Sequence, residues 1–411
     1  EIGVRLVGSE MCIRDRNSDL WDKCMYVRLG EICDFQSGGT PSKNNQKFFG
    51  GDIPWITTVA LNGSGIDGSD AVNWITEDAI KQSAAKIVPA NSIMIGTRVG
   101  VGKVAINLVD MSTSQDVVSL IGIDGTRWCK EYLCKCLTGK SQYLNSQARG
   151  ATIKGIKIDT LANLKIPEIP IEKQYEVSRI IDKTRIIIEQ RKQELTNLDE
   201  LMKARFVEMF GTYPANEKRW NVGTIRDVVT EVRYGSSRKA AEGMQGQYLY
   251  LRMNNITYSG ELVLNDIKTI DVPEKELLKC SVQRGDVLFN RTNSKELVGK
   301  TCVYNRDEMM VLAGFIIRVR VNEKILPEIL STFLNTDFSK KMLYGMCKSA
   351  IGQANINAQE FQNIEIYIPD MKSQEQFVEF KKQIDKSKVA VQKALDETQL
   401  LFDSLMQEYF G

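Results

Sequence analysis

The chain contains no histidine. That absence removes Ser-His-Asp triads, Cys-His dyads, histidine-ligated metals and imidazole acid-base chemistry, so any catalysis would fall to carboxylates, lysines or thiols. Long apolar runs are missing too. Stretches such as Arg185-Ile-Ile-Ile-Glu189 are broken by charge far short of the roughly 20 residues that cross a bilayer, and no membrane helix is expected. Neither sign of charge dominates: 54 basic against 52 acidic side chains leave a net +2, so any electrostatic partner must be sought locally. The nine cysteines (12, 24, 33, 129, 134, 136, 280, 302, 347) are odd in number and form no Cys-x-x-Cys pair. That argues against a disulfide framework or a zinc ribbon, makes Cys129, Cys134 and Cys136 structural thiols, and fits a reducing cytoplasm. What remains is an ordinary globular composition, 43% hydrophobic and 26% charged over 411 residues, enough for two to three domains.

Residues 1–16 stand apart. They begin without Met, show neither helical nor strand periodicity, and lack the regions of a signal peptide. The stretch resembles a translated sequencing adapter, so a non-native leader is expected there.

From about residue 20 onward the chain repeats itself at low identity and in constant order. Val27-Arg-Leu-Gly-Glu-Ile-Cys-Asp34 answers Val222-Gly-Thr-Ile-Arg-Asp-Val-Val229, and the loop Ser37-Gly-Gly-Thr-Pro-Ser-Lys43 answers Tyr234-Gly-Ser-Ser-Arg-Lys239. Ser92–Arg98 matches Asp286–Thr292, and Gly102–Val104 matches Gly299–Thr301. Ile156 and Ile356, Leu161 and Phe361, and Leu164 and Ile364 each stand 200 positions apart. Ile166-Pro167 with Lys173-Gln174 is matched to Ile368-Pro369 with Glu375-Gln376, and Phe210-Gly211 to Phe410-Gly411. Within the halves, β-branched and aromatic runs (Ile53–Thr58, Ser92–Thr97, Val117–Ile123; Tyr248–Arg252, Asp286–Asn290, Phe315–Val321) predict strands, and two helices per half are expected, at Lys130–Gln147 and Leu326–Tyr344.

After each Ile-Pro comes a long charged segment without Gly or Pro. Ile181, Ile188, Leu195 and Met202 recur every seven residues in the first; Ile384 and Val391 keep that step in the second, joined by Leu395 and Phe402. A sustained heptad step predicts a coiled coil, each helix about 57 Å long, and two similar halves favour an antiparallel pair. The expected fold class is α+β: two pseudo-symmetric α+β domains, residues 17–165 and 212–366, separated by two long antiparallel helices in 166–211 and 367–411.

Motifs that look like chemistry dissolve on inspection. Ser294-Lys-Glu-Leu-Val-Gly-Lys-Thr301 misses the first glycine of a phosphate loop. Pro369-Asp370 with Glu379 and Lys381 mimics a metal-dependent nuclease signature but falls on a predicted helix. Neither an Asp/Asn-Pro-Pro-aromatic tetrad nor a Gly-rich cofactor loop is present.

Cations and amides do cluster at equivalent places. Lys140, Arg149, Lys154, Lys157 and Lys165 face one acid between residues 140 and 165; Lys340, Lys341 and Lys348 lie near Gln353, Asn355 and Asn357 with no acid between Phe338 and Glu360. This pattern suits phosphate clamps with amides placed against base edges. The candidate DNA-contacting residues are Ser37, Thr40, Ser42, Lys43, Thr97, Arg98, Lys103, Arg149 and Lys154 in the first half. In the second they are Ser236, Arg238, Arg252, Asn290, Arg291, Asn293, Lys300, Lys348, Gln353 and Asn355.

The order of variable half, spacer helix, second variable half and matching helix resembles the specificity (S) subunit of type I restriction-modification systems, over about residues 20–411. The resemblance is carried by Val27–Ile32, Ser37–Pro41, Ile166-Pro167 with Gln174, Leu201–Gly211, Ile368-Pro369 with Glu375-Gln376, and Leu405–Gly411. It implies two target recognition domains reading a bipartite site in double-stranded DNA, with the helices as a ruler between them. It also implies docking of two modification subunits and the joining of restriction subunits. No catalytic residue, metal or cofactor is expected on the chain itself, S-adenosylmethionine belonging to the modification subunits and ATP and Mg²⁺ to the restriction subunits. A stand-alone two-domain DNA-binding protein would use the same basic clusters; a single-chain methyltransferase or nuclease would need the missing motifs.

Overall fold

The computed structural model describes residues 25–150, 154–241, 245–350 and 353–410, with 348–350 and 353 in backbone only. The leader, Cys12 and Cys24 lie outside the described residues. Ten helices are referred to below: α1 (Glu77–Gln82), α2 (Lys130–Gly139), α3 (Ser141–Gln147), α4 (Ile158–Ala162), α5 (Ile171–Phe210), α6 (Glu274–Cys280), α7 (Pro327–Asn335), α8 (Asp337–Met346), α9 (Ala358–Gln362) and α10 (Met371–Phe410). The chain forms two compact units, one of residues 1–190 and 395–411, the other of residues 191–394.

The first unit holds a five-stranded sheet in the order Asp34–Ser37, Val117–Ile121, Ile93–Gly96, Val104–Asn107, Gly65–Ile66, and a four-stranded sheet in the order Asn73–Ile75, Phe49–Ile56, Met111–Thr113, Ile87–Val88. The second unit repeats this plan. Its sheets run Val229–Tyr234, Ile316–Val321, Val287–Asn290, Thr301–Val303, and Lys268–Ile270, Tyr248–Leu251, Met310–Leu312, Ser281–Val282. Even the parallel pair within the four-stranded sheet recurs, Phe49–Ile56 beside Met111–Thr113 and Tyr248–Leu251 beside Met310–Leu312. The strands sit on the β-branched runs because their side chains fill the cores: Ile93, Ile95, Val118 and Leu120 in one unit, Val287, Phe289, Ile317 and Val319 in the other.

The repeat is tighter than the sequence comparison made it. Val27 pairs with Ile166 and Gly223 with Ile366, so Val27 corresponds to Gly223 and not to Val222, and Ile166 to Ile366 and not to Ile368. The second slip matters, because the buried glutamine opening each long helix is Gln174 in α5 and Gln374, not Gln376, in α10. Gln174 accepts from Cys129 N (2.9 Å) and donates to the carbonyls of Arg127 (3.0 Å) and Ile169 (2.8 Å). Gln374 accepts from Leu326 N (2.8 Å) and donates to the carbonyls of Lys324 and Pro369 (2.9 Å each). Each therefore caps the helix that packs beside it, α2 or α7, on a residue whose own side chain makes no cap.

Each of α5 and α10 is unbroken over 40 residues. Within the second unit Phe206 and Phe210 meet Phe377 at ring distances of 5.2 and 5.7 Å, while Asp199 meets Lys388 at 2.6 Å. Rising numbers on one helix thus face falling numbers on the other, and the pair is antiparallel. In the first unit Val177 and Ile181 share a core with Tyr409 and Phe410, against which Phe402 and Leu405 pack. Of the seam residues, Ile181, Ile188, Met202, Ile384 and Val391 are buried; Leu195, Leu395 and Phe402 are half-buried. The two helices expected in each half over Lys130–Gln147 and Leu326–Tyr344 are α2 with α3 and α7 with α8. Lys140 leaves helical geometry, and Gly139 is forced by Phe410, whose Cβ a side chain there would meet at 2.7 Å. Thr336 turns extended and caps α8 through Ser339 N.

Candidate nucleic-acid interface

In the first unit Ser37 pairs with Val118, and Gly96 with Val117, so the loops that follow emerge at one end of the five-stranded sheet. Gly38 and Gly39 donate to the carbonyls of Val117 and Thr113, and a Cβ would lie 2.2 Å from Ser114 O on Gly38 and 2.1 Å from Ala84 O on Gly39. This close approach is why the loop reads Ser-Gly-Gly-Thr. It leaves Ser37, Thr40, Ser42 and Lys43 exposed, with Thr40 Oγ1 accepting from Gln115 N. Beside it, exposed Arg98 lies 3.9 Å from Asp116, and its stem packs where a side chain on Gly155 would otherwise sit. Arg149 and Gly155 exchange two backbone hydrogen bonds (2.9 and 3.0 Å), which bring the exposed Arg149 and Lys154 near one another; Lys103 is exposed at the same sheet end. Thr97 is the exception. It is buried, bonded through N and Oγ1 to Asp116 O and through its carbonyl to Ile156 N, and acts as a clasp rather than a contact.

In the second unit Thr292–Asn293, Gln353–Asn355 and Lys348–Ala350 form a small three-stranded sheet, with Thr292 opposite Asn355 and Asn355 opposite Lys348. Asn293, Lys348, Gln353 and Asn355 are thereby brought together, next to Arg291. Asn355 is exposed and accepts from Thr292 Oγ1; the side chains of Lys348 and Gln353 lie outside the described residues. Asn293 is half-engaged, accepting from Ser294 N (2.8 Å).

Five other candidates serve the fold instead. Ser236 is buried and receives the backbone N of Arg238 on its hydroxyl. Asn290 is wholly buried, with its amide nitrogen turned to the carbonyls of Thr292 (2.9 Å) and Phe315 (3.3 Å). Lys300 is buried and donates to Met253 O (2.8 Å), which also removes the lysine of the near-miss phosphate loop. Arg238 is held by both oxygens of Glu276 (3.1 and 2.8 Å), and Arg252 by the backbone carbonyl and carboxylate of Asp266 (2.8 and 2.7 Å). These acids stand 38 and 14 positions away, beyond the reach of a local charge count. Lys340 also turns inward, to Gly299 O (2.6 Å) and Asn335 Oδ1 (2.9 Å), and burial pushes its pKa down to about 7.

Sequence reasoning missed the exposed rings beside these cations. Tyr234 lies under the Arg291 guanidinium at 4.8 Å, Tyr344 under Lys295 at 4.2 Å, and Phe315 is half exposed. Exposed Val59 and Val99 belong to the loops at the corresponding end of the first unit. The described cysteines are buried, and burial pushes Cys33 up to about 12 and Cys134 to about 11, which disfavours thiolate chemistry. Glu379 is exposed on α10, and Asp370 caps that helix through Ser373 N (3.0 Å) and Oγ (2.8 Å). Among the described residues no helix is long and apolar enough to cross a membrane.

Comparison with known proteins places this architecture. The chain is similar to the MjaIX specificity subunit of Methanocaldococcus jannaschii, 31% identical over 54% of each chain, and to the EcoKI specificity subunit of Escherichia coli K12, 23% identical over 65% of this chain and 61% of that one. It thus spans about half to three fifths of the length of these curated relatives. The fold is similar to that of the S subunit from M. genitalium (TM-score 0.55, 14% identity, 95% and 96% of the two chains). It is also similar to a chain from a structure described as the structural basis of complex assembly and conformational transition of the type I R-M system (0.61, 17%, 94% and 97%). The family model for the type I restriction modification DNA specificity domain matches twice, over residues 22–197 and 217–398, and the chain belongs to that family.

Proposed function

We propose that the chain is the non-catalytic DNA-reading subunit of a cytoplasmic type I restriction-modification complex. Each unit reads one part of a bipartite site in double-stranded DNA, α5 and α10 act as the spacer, and two modification subunits and the restriction subunits dock on the assembly. One observation carries this reading: a single sheet plan is built twice, and at the same sheet end the first copy presents exposed Arg98, Lys103, Arg149 and Lys154 and the second partly exposed Arg291 and Asn293 with exposed Asn355. Equal scaffolds with unequal reading groups suit two unlike half-sites. S-adenosylmethionine, ATP and Mg²⁺ are assigned to the partner subunits. The test is methylation of a random-sequence DNA library by the chain with and without its modification partner. Methylation at a two-part sequence only in the mixture supports the reading, and turnover by the pure chain refutes it.

A further inference from the structure

Backbone hydrogen bonds put the two reading ends in register. Gly38 N donates to Val117 O and Gly235 N to Ile316 O; Thr97 N donates to Asp116 O and Arg291 N to Phe315 O; Ile156 N donates to Thr97 O and Ile356 N to Arg291 O. Ser37, Thr97 and Asp116 therefore occupy the places of Tyr234, Arg291 and Phe315. The first unit carries two hydroxyls and a carboxylate there, the second a phenol, a guanidinium and a phenyl ring.

Arg291 is unlike its neighbours. Arg233, Arg238, Arg252, Arg284, Arg318 and Arg320 each pair with a carboxylate. Arg291 has no carboxylate partner among the described residues. Its guanidinium lies 4.8 Å from the Tyr234 ring centre, and its Nε points at Ile356 O at 3.4 Å. The ring is itself anchored, its hydroxyl accepting from Ala358 N at 2.8 Å, the first residue of α9. One face of the guanidinium is thus held and Nε engaged, while Nη1 and Nη2 meet no acceptor among the described residues. A planar fork fixed in direction matches two acceptors side by side, the O6 and N7 of guanine in the major groove, and such a contact carries base preference where a phosphate contact carries none.

We propose that Arg291 reads a guanine in the half-site of the second unit and that Tyr234 is the positioning residue that holds it. This rests on the DNA-reading role proposed above. The test is base preference at every position of the methylated site, measured on a random-sequence library with the complex carrying R291A, R291K, Y234F or Y234L. R291A and R291K are expected to lose about 10- to 100-fold discrimination at one G·C pair of one half-site and to leave the other half-site unchanged. Y234F, which keeps the ring, should retain most of that preference, and Y234L should weaken it at the same pair and nowhere else. A uniform drop across all sequences marks a phosphate contact and overturns the proposal. So does loss spread over the whole half-site, or R291K behaving as the wild type. A wild-type complex without any two-part preference would instead refute the functional reading beneath it.

Discussion

Replacing Gln374 by Leu tests how the long helices are joined to the domains. The side chain is wholly buried and makes three hydrogen bonds, to Leu326 N and to the carbonyls of Lys324 and Pro369. A buried hydrogen bond contributes about 1 kcal/mol net, and an orphaned buried partner costs about 1–3 kcal/mol. Leucine strands all three partners, so the expected loss is about 3 kcal/mol and at most about 9, a large share of a domain stability of about 5–15 kcal/mol. Q374E adds a pH signature. Its carboxylate would face two carbonyl oxygens, so the folded state raises its pKa above the unfolded value of about 4.3. Stability is then least impaired below about pH 4 and falls as pH rises through the folded pKa. The assay is hydrogen exchange in a urea series, reading α7 peptides against α2 peptides. Q374L should open α7 early and Q174L should open α2 early. A loss below about 1 kcal/mol, or Q374L opening α2 as much as α7, would refute the capping role.

Three further outcomes are expected. Lys154→Ala should weaken DNA binding by the assembled complex at all sequences alike and lower the salt slope by about one, measured as log Kd against log salt; an altered sequence preference would count against a phosphate contact. A heptad inserted into both α5 and α10 keeps the apolar seam and adds about 10 Å at 1.5 Å per residue, widening the gap between methylated half-sites by about three base pairs with the half-sites unchanged; methylation mapping reads the gap. For Lys340, whose folded pKa of about 7 lies below its unfolded value, the unfolded chain holds the extra proton, so stability should rise with pH from about 7 to 8.5. K340M should flatten that rise in calorimetry of the second unit.

Periodicity and repetition were legible in the sequence because they concern spacing. The strands fell on runs such as Val117–Ile121, the long helices inside 166–211 and 367–411, and Leu161 and Phe361 at matching core places. The residues at which each helix pair divides, Lys140 and Thr336, were not, and the need for Gly139 at the first comes from Phe410, far along the chain. The same limit explains the site. Ser236, Asn290 and Lys300 look like loop polars but are buried, Ser236 on the backbone of its own turn and Asn290 and Lys300 reaching the backbone of Phe315 and Met253, and Arg238 and Arg252 look free until Glu276 and Asp266 fold against them. Tyr234 stood within a quoted loop, yet its value lies in a ring beneath a guanidinium 57 positions on, which composition does not encode.

The division of the chain sets an order of birth. The second unit is one continuous stretch, residues 191–394, whereas the first closes its core with Phe402, Leu405, Tyr409 and Phe410 from beyond that stretch. On the ribosome the first-made domain therefore waits through roughly 200 residues, about 10–40 s at 5–20 residues per second, while the later one can close. During that interval Tyr132, Val177 and Ile181 lack their covering side chains, a window open to chaperones and proteases. A stop codon placed just after residue 394 should accordingly unravel the first unit and spare the second.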